Sequence, residues 1–289
     1  MDPTFEHDLT LYSSILITVA GILGNSLILL VISKKEFRRV PMFRFLICST
    51  ISDTITLFFL WGSVFHELVR RDSDNISCKL FSVLNYLFYH LSTYIMVLCS
   101  IERVISLKIP DLKFFKKFKN QFLLILIIFV FLILLNLPSY FVNTVAIISN
   151  DTWCVYVENI PYIDFYVDLY LSIISAFLPF LLMAGCSGIV AHHLLTKRSL
   201  QLTRQYKKDK HFIKVIFCLD IFFLVSNLPF YTVSIIYDLL DIQYDFLYNI
   251  VNIISYIYNS FNFFVYLIVN KRFRKKFIKL LSFKKLFDY

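Results

Sequence analysis

The sequence predicts an all-α membrane protein: a seven-transmembrane helix bundle with a short amphipathic eighth helix. Three observations carry that prediction. Seven long stretches are almost free of charge, the loops between them alternate strictly in sign, and 58% of residues are hydrophobic, with a mean hydropathy of +0.70. Such a composition excludes an ordinary water-soluble domain. The stretches cover residues 10–33, 45–65, 80–101, 121–150, 169–191, 215–237 and 246–270, and only Asp53 and Asp220 place a formal charge inside them. A hydrocarbon core about 30 Å thick takes roughly 20 residues of helix to cross, and each stretch reaches that length. Lipid offers backbone groups no partner outside their own segment, so each crossing must be helical.

The loops orient the bundle. Lys34, Lys35, Arg38, Arg39 and Arg44 follow the first stretch; further basic groups lie at 103–119, 197–214 and 271–285. Of the 29 Lys and Arg residues, all but Arg70, Arg71 and Lys79 fall in these four groups. The positive-inside rule makes that face cytoplasmic and residues 1–9 an extracellular terminus, as in a multi-pass protein of the plasma membrane. The opposite face carries acids, among them Asp164, Asp168, Asp238, Asp241 and Asp245. The net charge of +9 therefore belongs beside anionic headgroups of membrane lipid, which argues against a nucleic-acid partner. The loops leave no room for a second domain, so residues 1–289 read as one, with the eighth helix and tail at 271–289. No cleavable leader is expected before residue 10.

Four cysteines, Cys48, Cys99, Cys186 and Cys218, fall in apolar stretches, where a thiol behaves as a small hydrophobe. Cys78 heads the third stretch and Cys154 lies between the fourth and fifth, both on the oxidising side. The sequons at Asn75 and Asn150 fall on that same side, as glycosylation requires.

Near the basic end of the third stretch, 24 residues after Cys78, stands Glu102-Arg103-Val104. Other landmarks are Gly24-Asn25, Asp53, Pro179, Pro229 and Asn262-Phe263-Phe264-Val265-Tyr266. Lys271-Arg272-Phe273-Arg274-Lys275-Lys276-Phe277 completes them, with two Phe four apart on one helical face. Over nearly its whole length the chain resembles the rhodopsin-like (class A) G-protein-coupled receptors. The resemblance implies a disulfide between Cys78 and Cys154. It implies that Glu102 holds Arg103 until a heterotrimeric G protein is met, and that Pro179, Pro229, Asn262 and Tyr266 take part in the activation switch. Asn25, Asp53, Ser92, Asn259 and Asn262 would form a polar core resembling the family's sodium pocket. Oxygen ligands around one carboxylate suit allosteric Na+, while a protonated Asp53 that serves only packing is the alternative.

Departures mark a divergent member. Asn227 stands where the family's sixth-helix Trp falls, Ser187 replaces the fifth-helix Tyr, Phe263 replaces the seventh-helix Pro, and the fourth-helix Trp has no counterpart. No lysine occurs between Lys214 and Lys271 to hold retinal, and Asn85 occupies the position of the aminergic Asp. An outer vestibule of Asn85, Asp164, Asp168, Asp238, Asp241 and Asp245 would attract a cationic ligand, such as an Arg-bearing neuropeptide. A looser similarity to invertebrate FMRFamide-type peptide receptors, in residues 259–264, points the same way. The alternatives are a chemosensory small-molecule receptor of the same fold, a seven-helix ligand-gated channel, or a receptor-like protein that no longer signals. No catalytic motif is present: His192 and His193 are adjacent rather than one turn apart, and no cofactor is expected.

Overall fold

Each apolar stretch is helical over most of its length in the computed structural model, which describes residues 3–38, 40–69, 75–109, 112, 114–148, 151–156, 163–196, 204–240 and 246–281. The elements run α1 (Pro3–Ile32), α2 (Lys35–Arg38), α3 (Pro41–Val69), α4 (Asn75–Lys108), a 3-10 turn (Phe114–Lys116) and α5 (Phe118–Val142). Then come β1 (Asn143–Ile148), β2 (Asp151–Tyr156), α6 (Ile163–Ser172), a π-helical turn (Ile173–Phe177) and α7 (Leu178–Thr196). The chain closes with α8 (Arg204–Leu240), α9 (Phe246–Val269) and α10 (Lys271–Leu281). Seven helices among the described residues are long and apolar enough to cross a membrane.

Most helices outrun the apolar stretch that announced them, because backbone bonding continues past the lipid boundary wherever no breaker intervenes. Residues 3–9, expected as part of a terminal segment, already belong to α1, whose first residue is Pro3. Proline suits that position, where its missing N–H has no helical partner to lose. The fourth stretch corrects the sequence reading in the other direction. Residues 143–148 are apolar but form a strand, not the end of a helix. Asn143 turns to extended backbone (φ −89°, ψ 140°) and its side chain donates to the Ser139 carbonyl at 2.6 Å. Beyond it, Thr144, Val145, Ile147 and Ile148 favour a strand, and β1 pairs antiparallel with β2 from Asn143↔Tyr156 to Ile148↔Asp151. The hairpin packs on α4, with Cys154 opposite Val145.

Pro179 shapes the fifth span. Its ring crowds the carbonyl four residues back and it cannot donate, so the helix widens into the π turn, where the Leu178 N–H reaches back to the Ile173 carbonyl. The widened turn presents the Ile174 carbonyl to the Tyr94 hydroxyl at 3.2 Å, tying this span to α4.

Burial separates the helices by role. In α4 every residue from Tyr89 to Ser100 is buried, which makes it the axis of the bundle. In α5 only Gln121, Leu132, Asn136 and Ser139 are buried among the described side chains; Leu124, Ile125, Ile128, Phe129 and Leu135 pack half-buried against the core. α1 meets α3 and α9 closely at Gly21: a Cβ there would lie 2.5 Å from Leu57 Cδ1 and 2.7 Å from Ser260 Oγ. After Val269 the chain breaks at Asn270, whose Oδ1 accepts the N–H groups of Arg272 and Phe273, both at 3.1 Å, and so caps α10. Arg274 returns the favour to α9, donating to the carbonyls of Leu267 and Ile268 at 3.2 and 3.0 Å. Phe263, at the position where proline was expected, keeps α9 helical and receives α10 on its ring, 5.9 Å from Phe273 and 5.1 Å from Phe277.

Candidate functional site

The close approach at Gly21 lets one turn of α1 lay Asn25 against α9, where its Nδ2 donates to the Asn259 carbonyl at 3.0 Å. Asp53 on α3 lies beside it, 1% exposed. Its Oδ1 accepts from Ser92 at 2.5 Å and from Asn259 at 2.8 Å; its Oδ2 accepts from Asn262 at 3.1 Å. Ser49 extends the network, 2.9 Å from Ser92. The structure thus brings together all five residues singled out for the polar core. A buried carboxylate with three donors is well compensated. The amide oxygens of Asn25, Asn259 and Asn262 are also buried and lack a protein partner. One carboxylate with three orphaned neutral oxygens is a donor set that fits a hard monovalent cation or waters.

At the basic end, Arg103 and Glu102 are 8% and 1% exposed, enclosed because α4 continues past them to Lys108. Arg103 Nε lies 2.9 Å from Glu102 Oε2, an ion pair whose angle is not that of a directed hydrogen bond. Glu102 Oε1 accepts from Ser106 at 2.7 Å. A small cavity, of about 10 Å³, lies between Arg103 and Ser100 on α4, Cys186, Ser187 and Val190 on α7 and Ile216 on α8. On its far wall Ser187 donates to Asp220 Oδ2 at 2.7 Å. Asp220 is 3% exposed, and its Oδ1 has no protein partner.

Towards the acidic end, α4 and α8 are joined where the sequence departs from the family pattern: the Tyr89 hydroxyl donates to Asn227 Oδ1, and Asn227 Nδ2 donates to the Phe223 carbonyl at 2.9 Å. Asn85, half-buried, donates to the Tyr256 hydroxyl at 3.4 Å and so links α4 to α9. His90 meets the Ser175 hydroxyl presented by the π turn. Asp168 departs from expectation too. It is 8% exposed and accepts from Ser234 of α8, with Tyr231 and Tyr248 within electrostatic reach. Asp238 is half-buried on α8. Asp241, Asp245 and Asn150 lie outside the described residues, as do the side chains of Asp164 and Cys154. Cys78 is disulfide-bonded, the four cysteines of the spans are free, and Asn75 is exposed.

Of the switch residues, Pro229 lies inside α8 and Pro179 inside α7, while Asn262 and Tyr266 are buried on α9. Tyr266 packs 5.6 Å from the Phe273 ring. Sequence reasoning missed three pairs: Ser187 with Asp220, Tyr89 with Asn227, and Ser234 with Asp168. The signal was present in the first two, since a polar residue inside an apolar span requires a partner. No group of three or more His, Cys, Asp or Glu that could hold a metal ion occurs among the described residues.

The family profile described as "7 transmembrane receptor (rhodopsin family)" matches residues 24–266. A QRFP-like peptide receptor from Branchiostoma floridae is 22% identical over 298 aligned positions, covering 94% of this chain and 77% of the relative. C-C chemokine receptor type 4 from Homo sapiens is 23% identical over 291, covering 93% and 76%.

Proposed function

The chain belongs to the rhodopsin family of seven-transmembrane receptors, and on that premise we propose that it transmits the binding of an extracellular cationic peptide to a heterotrimeric G protein at the plasma membrane. It is a multi-pass membrane receptor and not an enzyme. Its amino terminus lies outside in this reading, Cys78 pairs with Cys154, and Asn75 and Asn150 carry glycans. A cross-link closing so long a loop contributes roughly 4–5 kcal/mol in the chain-entropy view.

The observation that carries the reading is the enclosed Glu102–Arg103 pair at the basic end of α4, beside a cavity bounded by α7 and α8. An arginine held there is closed off while those helices stay packed. Moving α8 outward about Pro229 opens the cavity and presents the guanidinium to a partner. A ligand drives that change only by binding the open arrangement better than the closed one. For the ligand, support comes from Asp168, a buried carboxylate among tyrosines, a setting that suits an ammonium or guanidinium group. One of the relatives named above is a peptide receptor by its description. Sodium at the Asp53 cluster would be held by that carboxylate and the amide oxygens of Asn25, Asn259 and Asn262, and would favour the closed arrangement.

The test is nucleotide exchange on purified G proteins by the receptor in nanodiscs, against a panel of Arg-bearing amidated peptides. Arg103→Gln should abolish peptide-stimulated exchange while leaving peptide affinity within about twofold. Equal exchange by the wild type and that variant would sink the proposed mechanism. Activation by a neutral lipid or an anionic agonist alone would overturn the ligand class.

A further inference from the structure

Two acids share the surroundings of Arg103, and the closed arrangement pairs it with only one of them. The Cys99 thiol, one turn before Arg103 on α4, lies within electrostatic reach of Glu102, Arg103 and Asp220. Glu102 makes the ion pair with Arg103. Asp220, on α8, pairs with no cation among the described residues. Its Oδ2 accepts from Ser187, while its Oδ1 is buried without a protein partner, in a residue 3% exposed. One neutral hydroxyl is thin compensation for a carboxylate inside an apolar span, where such groups are held by a cation or by several donors.

The residue that holds Asp220 also borders the cavity beside Arg103. Ser187 lines that cavity together with Ser100, Arg103, Cys186, Val190 and Ile216. The other lining groups offer the arginine no anion: the Ser100 hydroxyl donates to the Met96 carbonyl at 3.2 Å, and Cys186, Val190 and Ile216 carry no charge. Guanidinium suits the unfilled place, since its planar fork of N–H donors serves a carboxylate oxygen and a hydroxyl at once.

Motion of α8 brings the two together. Asp220 precedes Pro229 by nine residues and Ile216 precedes it by thirteen, which at 1.5 Å per residue is about 13 and 20 Å of helix. Rotation about Pro229 therefore carries Ile216 about half as far again as Asp220. The cavity widens at the Ile216 wall, in the path of the guanidinium, while Asp220 stays closer to α7.

We infer that Asp220 is a positioning residue for Arg103: as α8 moves outward, the guanidinium leaves Glu102, crosses the cavity and is held by Asp220 Oδ1 beside Ser187. Glu102 thus favours the closed arrangement and Asp220 the open one, with one arginine shared between them. The inference rests on the reading of α8 as the helix that moves. Neither agonist nor G protein is needed to test it, so its failure is distinguishable from failure of the signalling function.

The experiment uses the full chain, without agonist, in phosphatidylcholine nanodiscs. A fluorine-bearing phenylalanine encoded at the exposed Lys214 position of α8 reports the ratio of open to closed receptor by fluorine NMR. Glu102→Gln loosens the closed pair and should raise that ratio. Asp220→Asn keeps the side chain's shape and an oxygen for Ser187 but removes the charge. Added to Glu102→Gln, it should lower the ratio by about fivefold or more, as loss of a charge-assisted hydrogen bond implies. With Arg103→Gln also present, Asp220→Asn should change the ratio by less than about twofold. Equal shifts with and without Arg103 would show that Asp220 acts through packing, and would overturn the pair. A ratio that rises on Asp220→Asn would make Asp220 a restraint on the closed arrangement, which overturns it as well. Absence of nucleotide exchange while the fluorine cycle holds would remove the signalling function and leave the Arg103–Asp220 pair standing.

Discussion

Asp53 and Asp220 are both buried in the spans of this receptor, and they are held in opposite ways. Asp53 takes three donors, from α4 and α9, spread over both carboxylate oxygens; Asp220 takes one, from Ser187, and its other oxygen has no protein partner. The same asymmetry runs through the helices around them. α1, α3, α4 and α9 share one network and approach closely at Gly21, while α8 is joined to α4, α6 and α7 by separate side-chain links: Asn227 to Tyr89, Ser234 to Asp168, Asp220 to Ser187. A multi-centre network loses several bonds when any one member leaves. Separate hydrogen bonds, each worth about 1 kcal/mol net, can be exchanged one at a time. The side that moves in the proposed mechanism is the side held by replaceable links.

Removing each carboxylate should expose the difference most strongly. Asp53→Leu leaves Asn259 and Asn262 with buried donors and no acceptor, at roughly 1–3 kcal/mol each, and Ser92 with Ser49 alone, so little folded receptor should survive solubilisation. Asp220→Leu orphans only the Ser187 hydroxyl and should lower the melting temperature by a few degrees at most. Melting curves of the two variants in the same detergent decide the matter; equal losses would break the comparison.

Glycine gives a second contrast of intermediate size. Gly21→Val forces side-chain atoms onto Leu57 and Ser260, and overpacking of this kind costs about 1–3 kcal/mol. The same change at Gly185 on α7, where a Cβ would meet nothing within 4 Å, should be nearly neutral. Thermal stability of both variants, measured side by side, would sharpen or erase the distinction between a tight and a loose side.

The smallest effect on stability should have the most visible effect on signalling. Ser187→Ala removes one link between α7 and α8 and should cost about 1 kcal/mol. Ligand-free nucleotide exchange should rise by up to about fivefold, as the closed arrangement loses that same energy. Tyr89→Phe should act in the same direction through Asn227. Unchanged basal exchange in both variants would mean that these contacts are packing and not restraint.

Much of this was legible in the chain. The seven crossings were marked by residue type and length, while the Glu102–Arg103 neighbours and the five polar residues gathered at Asp53 were named through the resemblance to the family; both rest on the need of an ionisable or amide group in lipid for a partner. The hairpin at 143–156 was not legible: hydropathy reports that Val145, Ile147 and Ile148 are apolar, but not whether lipid or protein covers them. Asp168 misled for a related reason. Its place near the acidic end suggested an open vestibule, yet the turn of α6 directs it inward to Ser234. Asn227 and Ser187 were read as losses from a family pattern, when each is one half of a new pair.

The sequence by itself determined the number of crossings and which positions could not stand alone, because the bilayer sets segment length and penalises every unsatisfied polar group. The pairing of those positions was decided only by tertiary structure. Asn259 and Asn262 reach Asp53 from more than 200 positions away, across a contact that exists because Gly21 lets α1 and α9 close around α3. The cavity beside Arg103 likewise needs walls from three helices far apart in the chain, α4, α7 and α8. Local residue patterns carry no information about which distant helix will supply a partner; close packing of rigid helices supplies it.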